Sequence, residues 1–338
     1  DSRAQGAGSS LTVPQLQAWP DPQNVSASPG VDSEAPALAA TSTGVTHLVW
    51  EEGSTLYHSY SEGQNWSTPS SIPAIGTAEA PVLAATNGTV HLVYFHDTDT
   101  YYVSWDGASW SLPKNVSQTS PASGTPDLAV GPEETLHVVW AEATGDIYYA
   151  QSTGGSLWSS SPIPGAEGSA PAVAVGADGS IQVVWQETIP LVEQPEIVYS
   201  RRVDTSWSLP EYVSTTPNGA STAPDLAVDS TGTAHVVWQE VISATTRIQY
   251  SNRTTIWTLS GEGTGAFAPC IAADAQDGVH VAWDTAFPYS IHYTWRASED
   301  DVWTAPTSLT SNLNEPLLDV ALYAGPGIAV RAAWEHDG

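Results

Sequence analysis

Ala35-Pro36-Ala37-Leu38-Ala39-Ala40, a turn through Gly44, then Thr46-His47-Leu48-Val49-Trp50: the architecture follows from the fact that this phrase returns. It recurs from Pro81 to Tyr94, Pro126 to Trp140, Pro171 to Trp185, Pro224 to Trp238 and Pro269 to Trp283, with a weaker seventh copy from Pro316 to Trp334. Measured on the closing aromatic, the steps are 44, 46, 45, 53, 45 and 51 residues. A period of about 40–50 residues fits four short strands with their turns, the unit of a β-propeller blade.

Each copy reads as four strands. The first is small and apolar, as in Ala37 to Ala40, which suits the crowded position nearest a central channel. The second, Val45 to Trp50, is β-branched and aromatic. The third carries Tyr, as in Tyr101-Tyr102 and Ile248-Gln249-Tyr250. The fourth opens on Trp with Pro three residues later (Trp66/Pro69, Trp110/Pro113, Trp207/Pro210, Trp303/Pro306), and Pro is tolerated on an edge strand. No apolar pattern holds a 3.6-residue period, so almost no helix is expected.

The seventh copy stops after two strands, and the missing half lies at the other end. Trp19-Pro20-Asp21-Pro22-Gln23-Asn24-Val25-Ser26 aligns with Trp110-Ser111-Leu112-Pro113-Lys114-Asn115-Val116-Ser117. The expectation is an all-β, seven-bladed β-propeller in one domain. Residues 1–8 form a tail, 9–27 supply two strands to blade seven, 33–311 hold blades one to six, and 315–338 give the first half of blade seven. Leu11, Val13, Trp19, Pro22, Val25, Ala333 and Trp334 are the residues expected at this closure. It would remove an open sheet edge. It is open whether the segment pairs within its own chain or with a neighbour, which would build a homo-oligomer or a filament.

The 338 residues include 37 Asp and Glu against 8 Lys and Arg, a formal net charge of −29. Phosphates and anionic lipid faces are held by cationic side chains, so this surface excludes nucleic-acid partners and anionic membranes. No apolar run of about 18 residues argues for membrane insertion. The single cysteine, Cys270, excludes an intrachain disulfide and reads as a buried, inert thiol. The chain begins at Asp1 and lacks Met. That is the pattern of a mature form after signal-peptide removal, so an extracellular or cell-surface location is expected. Five of eight asparagines (Asn24, Asn65, Asn87, Asn115 and Asn252) lie in Asn-X-Ser/Thr sequons and are candidate glycosylation sites.

The turn between strands three and four, Ser59-Tyr60-Ser61-Glu62-Gly63-Gln64-Asn65-Trp66, resembles the Asp-box, or BNR, repeat of sialidase-like propellers, with Ser61 in the Asp position. Ser104 to Trp110 is a copy one residue short. The phrase as a whole is similar to that of exported bacterial propellers of this group. The resemblance covers nearly the full chain and implies the fold. Sialidases of that group use three arginines for the substrate carboxylate, a Tyr–Glu nucleophile pair and an Asp acid/base. None of the seven arginines here falls on a predicted innermost strand, so no catalytic residue carries over and no enzyme activity is expected.

Three residue series remain as candidates. Three residues before the strand-two aromatic stand His47, His91, His137, Gln182, His235, His280 and Arg331. One per blade, they would lie roughly 10 Å apart, whereas zinc needs ligands within about 2.1 Å. They therefore read as hydrogen-bonded structural groups rather than a metal site. Just beyond that aromatic come Glu52, Asp97, Glu142, Glu187, Glu240, Asp284 and Glu335, expected to form an acidic rim that attracts cations or a basic partner. Asp97-Thr98-Asp99 is the nearest approach to a Ca²⁺ loop, and no other cofactor is suggested. Asp127 and Asp225 are expected to line the channel. Trp105 and Trp295 fall outside the repeat pattern, which makes them candidate sugar-stacking aromatics. The expected function is a non-catalytic exported scaffold or adhesin whose partner is itself. The alternatives are a multivalent lectin for surface glycans and a degenerate glycosidase.

Overall fold

The computed structural model describes residues 19, 21–28, 30–63, 65–86, 88–119, 122–189, 193–217, 219–261, 265–286, 289–298, 302–310, 320–324 and 330–334. Among them, Glu34–Ala40, Thr46–Glu52, Thr55–Ser61 and Ser70–Ser71 pair in that order as one antiparallel sheet. Five more sheets with the same meander cover 79–115, 127–167, 169–212, 219–258 and 266–308. In the fourth, the outer strand is split into Ser206–Trp207 and Glu211–Tyr212, both paired with Gln194–Val203. A single 3₁₀ turn, Pro132–Glu134, is the one helical element among the described residues.

The inner strands follow one another around an axis, which makes the molecule an all-β propeller. Val320–Ala324 lies between the inner strand of the sixth sheet, Ala266–Ala273, and that of the first, Glu34–Ala40, so the ring closes. Six blades are complete. Among the described residues the expected seventh four-stranded blade is not found: Val320–Ala324 and Val330–Trp334 form a two-stranded sheet. Its two outer strands were assigned to residues 9–27, and residues 9–18 lie outside the described set. Trp19 and residues 21–27 adopt no strand.

The Ala-Pro step that opens five of the six complete blades (blade three has Thr125-Pro126) has a structural cause. Ala35, Ala80, Ala170, Ala223 and Ala268 all have φ between 42° and 49°. Each sits at a register shift between the inner and second strands. Such a bulge releases the following residue from the ladder, and a proline, which has no N–H to give, fits there without loss.

The core lies between blades rather than within them. Val139, Tyr149 and Ile163 of the third sheet pack against Val183, Trp185 and Val198 of the fourth. Trp140, Trp185, Trp238 and Trp283 are fully buried. Each removes roughly 150–250 Å² from water at about 25 cal/mol per Å², so these second-strand aromatics are the main cement between neighbouring sheets.

Candidate functional site: the blade junctions

The second and third strands of every complete blade except the first place one His or Gln against one Tyr. His91 Nδ1 lies 2.8 Å from the Tyr102 hydroxyl, His137 Nδ1 2.7 Å from Tyr149, His235 Nδ1 2.6 Å from Tyr250 and His280 Nδ1 2.7 Å from Tyr293. In blade four, the Tyr199 hydroxyl donates to Gln182 Oε1 at 2.9 Å. Blade one substitutes His58 for Tyr, and its Nε2 lies 3.0 Å from His47 Nδ1. Burial chiefly pushes His47, His91 and His137 down to about 4 and His58 to about 3, so these rings are neutral. The same burial pushes Tyr149 up to about 12. Each histidine of the series is hydrogen-bonded within its own blade, as the spacing argument expected.

What sequence reasoning missed is the residue three places after that tyrosine. In blades one to six it is Ser61, Trp105, Ser152, Arg202, Arg253 and Arg296. The arginines cap the tyrosine of the preceding blade. The guanidinium carbon of Arg253 lies 3.7 Å from the Tyr199 ring centre, that of Arg202 5.0 Å from Tyr149, and that of Arg296 5.2 Å from Tyr250. Arg202 Nη1 also donates to the Tyr149 hydroxyl at 2.9 Å and to Gln151 Oε1 at 2.8 Å, while Arg296 Nη2 donates to the Tyr250 hydroxyl at 2.7 Å. The strand-four tryptophan completes two of these junctions edge-on: Trp207 against Tyr149 at 5.3 Å and Trp303 against Tyr250 at 4.8 Å. Arg253 is exposed and Arg202 half-buried, as are Trp207, Trp257 and Trp303. Arg253 pairs with Glu211 and Arg201 with Asp178. These groups share the face formed by the turns between strands one and two and between strands three and four. They offer an aromatic platform beside forked N–H donors.

The expected acidic rim needs correction. Glu142 is 3% exposed and Glu240 not at all, and Asp284 is buried. The cause is the tryptophan two residues back, whose indole N–H is held by the carboxylate. Trp50 donates to Glu52 at 2.9 Å, Trp140 to Glu142 at 2.6 Å, Trp185 to Glu187 at 3.3 Å and Trp238 to Glu240 at 2.7 Å. Asp97 and Asp284 fall outside this register; only Asp97 is well exposed, with 77% of its side chain free. Glu335 lies outside the described residues.

Of the two off-pattern tryptophans, Trp295 is buried and stacked on His280 at 6.0 Å, so it is packing rather than a sugar platform. Trp105 is half-buried, edge-on to His58 at 5.3 Å and tilted against Trp110 at 5.7 Å. It is the aromatic counterpart of the arginine caps. Asp127 and Asp225 are inter-blade clasps. Each takes the next N–H of its own strand at 2.8 Å, and its other oxygen takes an N–H of the following blade, Val173 at 2.7 Å or Ile271 at 2.8 Å. Burial and the charge of Asp127 push Asp225 up to about 7. Cys270 directs its thiol at the Ala282 carbonyl, 3.8 Å away, and burial pushes it further up from its ordinary value.

Asn24, Asn115 and Asn252 each use Oδ1 to close a turn, accepting from Ala27, Gln118 and Thr255 N–H respectively. Asn65 is exposed and Asn87 lies outside the described residues. Of the closure residues, Leu11 and Val13 are also outside. Pro22 is exposed, while Val25, Ala333 and Trp334 are half-buried. Trp19 stands edge-on to Tyr293 of blade six at 5.2 Å, the relation that Trp158, Trp207 and Trp303 bear to Tyr102, Tyr149 and Tyr250.

No protein-family profile and no curated sequence matches this chain. Solved structures do. An ulvan lyase from a polysaccharide lyase family, solved with a bound saccharide, gives a TM-score of 0.64 at 10% identity, covering 90% of this chain and 92% of that one. The Aleuria aurantia lectin in complex with a fucose-containing disaccharide gives 0.51 at 12%, covering 83% and 96%. AofleA from Arthrobotrys oligospora gives 0.55 at 11%, covering 83% and 87%. At such identities the likeness speaks for the fold, and it agrees with the propeller arrangement built from the sheets above.

Proposed function

We propose that this chain is a non-catalytic, glycan-binding propeller with sites at its blade junctions, the Arg202 and Arg253 junctions foremost. The observation that carries the reading is the repeated cap: an arginine of one blade laid on the tyrosine of the blade before, with the half-buried Trp207 edge-on to that tyrosine at the Arg202 junction. Sugar rings stack on aromatic faces and take hydrogen bonds from forked donors, and the Arg202 junction sets Trp207 and a guanidinium on the same tyrosine. Several such sites on one disc would give avidity from weak single sites. Two of the similar structures are named for carbohydrate, a lectin and a polysaccharide lyase. The reading is kept non-catalytic because the His–Tyr pairs are buried.

A glycan array on the intact protein, repeated with Arg202→Ala and Arg253→Ala, tests the reading. Binding to a defined saccharide set should weaken in both variants while thermal stability stays close to that of the parent. An array without signal would sink it.

We further propose that blade seven is completed within the chain by the N-terminal segment. The Trp19–Tyr293 contact supports this, as does the turn at Asn24, which repeats that at Asn115 down to the positive φ of Ala27 (53°) and Gln118 (48°). Exchange of that segment between molecules is the scaffold alternative. Sedimentation separates the two, since exchange gives polymers and closure gives monomers.

A further inference from the structure

On the opposite face, two junctions share a second constellation that neither the ring closure nor the sugar reading uses. Between blades two and three, Asp99 Oδ1 accepts from the Ser117 hydroxyl at 2.9 Å. Glu142 Oε1 accepts from the Thr119 hydroxyl and the Trp140 indole, both at 2.6 Å. Ser123 lies between them: its N–H donates to the Thr98 carbonyl at 2.8 Å and it is bridge-paired with Glu142. Between blades four and five the corresponding residues are Glu196, Ser214, Thr216, Ser221 and Glu240. Glu196 accepts from the Ser214 hydroxyl at 2.5 Å and from the Thr216 N–H at 2.8 Å. Ser221 Oγ lies 3.1 Å from Glu196 Oε2 and 3.0 Å from Glu240 Oε2.

Positive charge is missing at both places. Glu142 Oε2, Glu240 Oε1 and Ser123 Oγ are buried without a hydrogen-bond partner, and the two glutamates are 3% and 0% exposed. Among the described residues no Lys, Arg or His makes an ion pair with Glu142, Glu196 or Glu240. Arg247, directly across the strands from Glu240, does not reach it. A buried carboxylate oxygen with no partner is costly, and the single hydroxyl hydrogen of Ser221 cannot serve two carboxylates at once. The side-chain atoms of Asp99, Ser123 and Glu142, and of Glu196, Ser221 and Glu240, that could ligate a metal are all oxygens, the ligand set that hard divalent cations take and softer metals do not.

We propose that each junction binds one calcium-type divalent cation, held by Glu142, Ser123 and Asp99 in one and by Glu240, Ser221 and Glu196 in the other. The cation ties blade two to three and blade four to five. This site is independent of glycan binding, which sits on the other face.

Terbium is the probe, because Trp140 and Trp238 donate to the very carboxylates that would hold it and so sensitise its emission. Intact protein titrated with Tb³⁺ should show saturable emission on tryptophan excitation, displaced by Ca²⁺. The double variant Glu142→Gln, Glu240→Gln should lose most of it. In parallel, millimolar Ca²⁺ should raise the melting temperature by about 3 °C and EGTA should reverse the rise. If the double variant fails to fold, Ser123→Ala with Ser221→Ala keeps every carboxylate and should weaken Ca²⁺ competition about tenfold. Three results would overturn the proposal: emission that Ca²⁺ does not displace, emission unchanged in the variants, or a melting temperature indifferent to both Ca²⁺ and EGTA.

Discussion

Asp225 makes the stability of this propeller depend on pH in a way that a single substitution isolates. Its carboxylate is raised from 3.8 to about 7, first by burial and then by the charge of Asp127. A group whose folded value is raised adds stability that is fully present below its unfolded value and lost as pH rises through the folded one. The window is therefore pH 4 to 7. Between pH 5 and pH 8 the shift is worth at most about 2.6 kcal/mol, at roughly 1.4 kcal/mol per unit. The side chain is half-buried rather than sealed, so about 2 kcal/mol is the working figure. For a chain of this length that is about 3 °C of melting temperature. The buried histidines pull the other way, since their lowered values cost stability as pH falls below 6.5. The quantity to measure is thus the difference between parent and Asp225→Asn. Asparagine has one acceptor oxygen for two N–H donors, those of Leu226 and Ile271, so the variant should be the less stable at pH 5 by roughly 1–3 kcal/mol. That gap should close by about 2 kcal/mol at pH 8, where the parent holds an unfavourable charge. Calorimetric melts of both proteins at pH 5, 6, 7 and 8 read this directly. A gap that stays constant across the four would refute the reasoning.

Other perturbations follow from the same geometry. Trp19→Ala removes the edge-on contact with Tyr293 and should lower stability by about 2–3 kcal/mol in urea melts; an unchanged midpoint would mean that the N-terminal segment is not docked. Gly168→Ala places a Cβ 2.1 Å from the Gln186 carbonyl oxygen at φ +153°, and backbone cannot step aside, so soluble yield should collapse. His58→Tyr restores the pairing found in four of the other blades, and because His58 is held down at about 3, the variant should melt higher than the parent at pH 5 while matching it at pH 8.

The blades were legible because their signal is repetitive and steric. Small inner residues and a buried second-strand aromatic recur with every complete sheet, and the Ala-Pro bulge with five of the six. The junction chemistry was not legible, for two physical reasons. Glu142 and Glu240 look like surface acids in sequence; only the fold shows that the indole two residues earlier turns with them into the interface and buries both. Arg202, Arg253 and Arg296 looked scattered because no short motif links them. Their common spacing from Tyr199, Tyr250 and Tyr293 has meaning only once the third strand of one blade is known to lie over the tyrosine of the blade before. Trp295 misled for the converse reason: it broke the repeat pattern, yet its ring simply fills the space above His280.

The cap position also sets how many sites the disc should have. It is the least uniform of the junction positions, reading Ser61, Trp105, Ser152, Arg202, Arg253 and Arg296, while the paired His or Gln beneath is nearly constant. A scaffold under packing constraint alone would keep both alike. Here the tyrosine of blade two is covered instead by Gly155, where a Cβ would come within 2.4 Å of the hydroxyl, and by Trp158 edge-on to its ring, with no arginine cap. The junctions are therefore inequivalent, and the forked donors are confined to blades four to six. Arg296 is buried against Tyr250 and Trp303, which leaves Arg202 and Arg253 as the accessible pair. Titration calorimetry with a saccharide identified on the array should saturate at about two per chain, as expected when accessible forks limit the count. Six or seven equivalent sites would mean that the tryptophans alone bind sugar and that the arginines are merely struts.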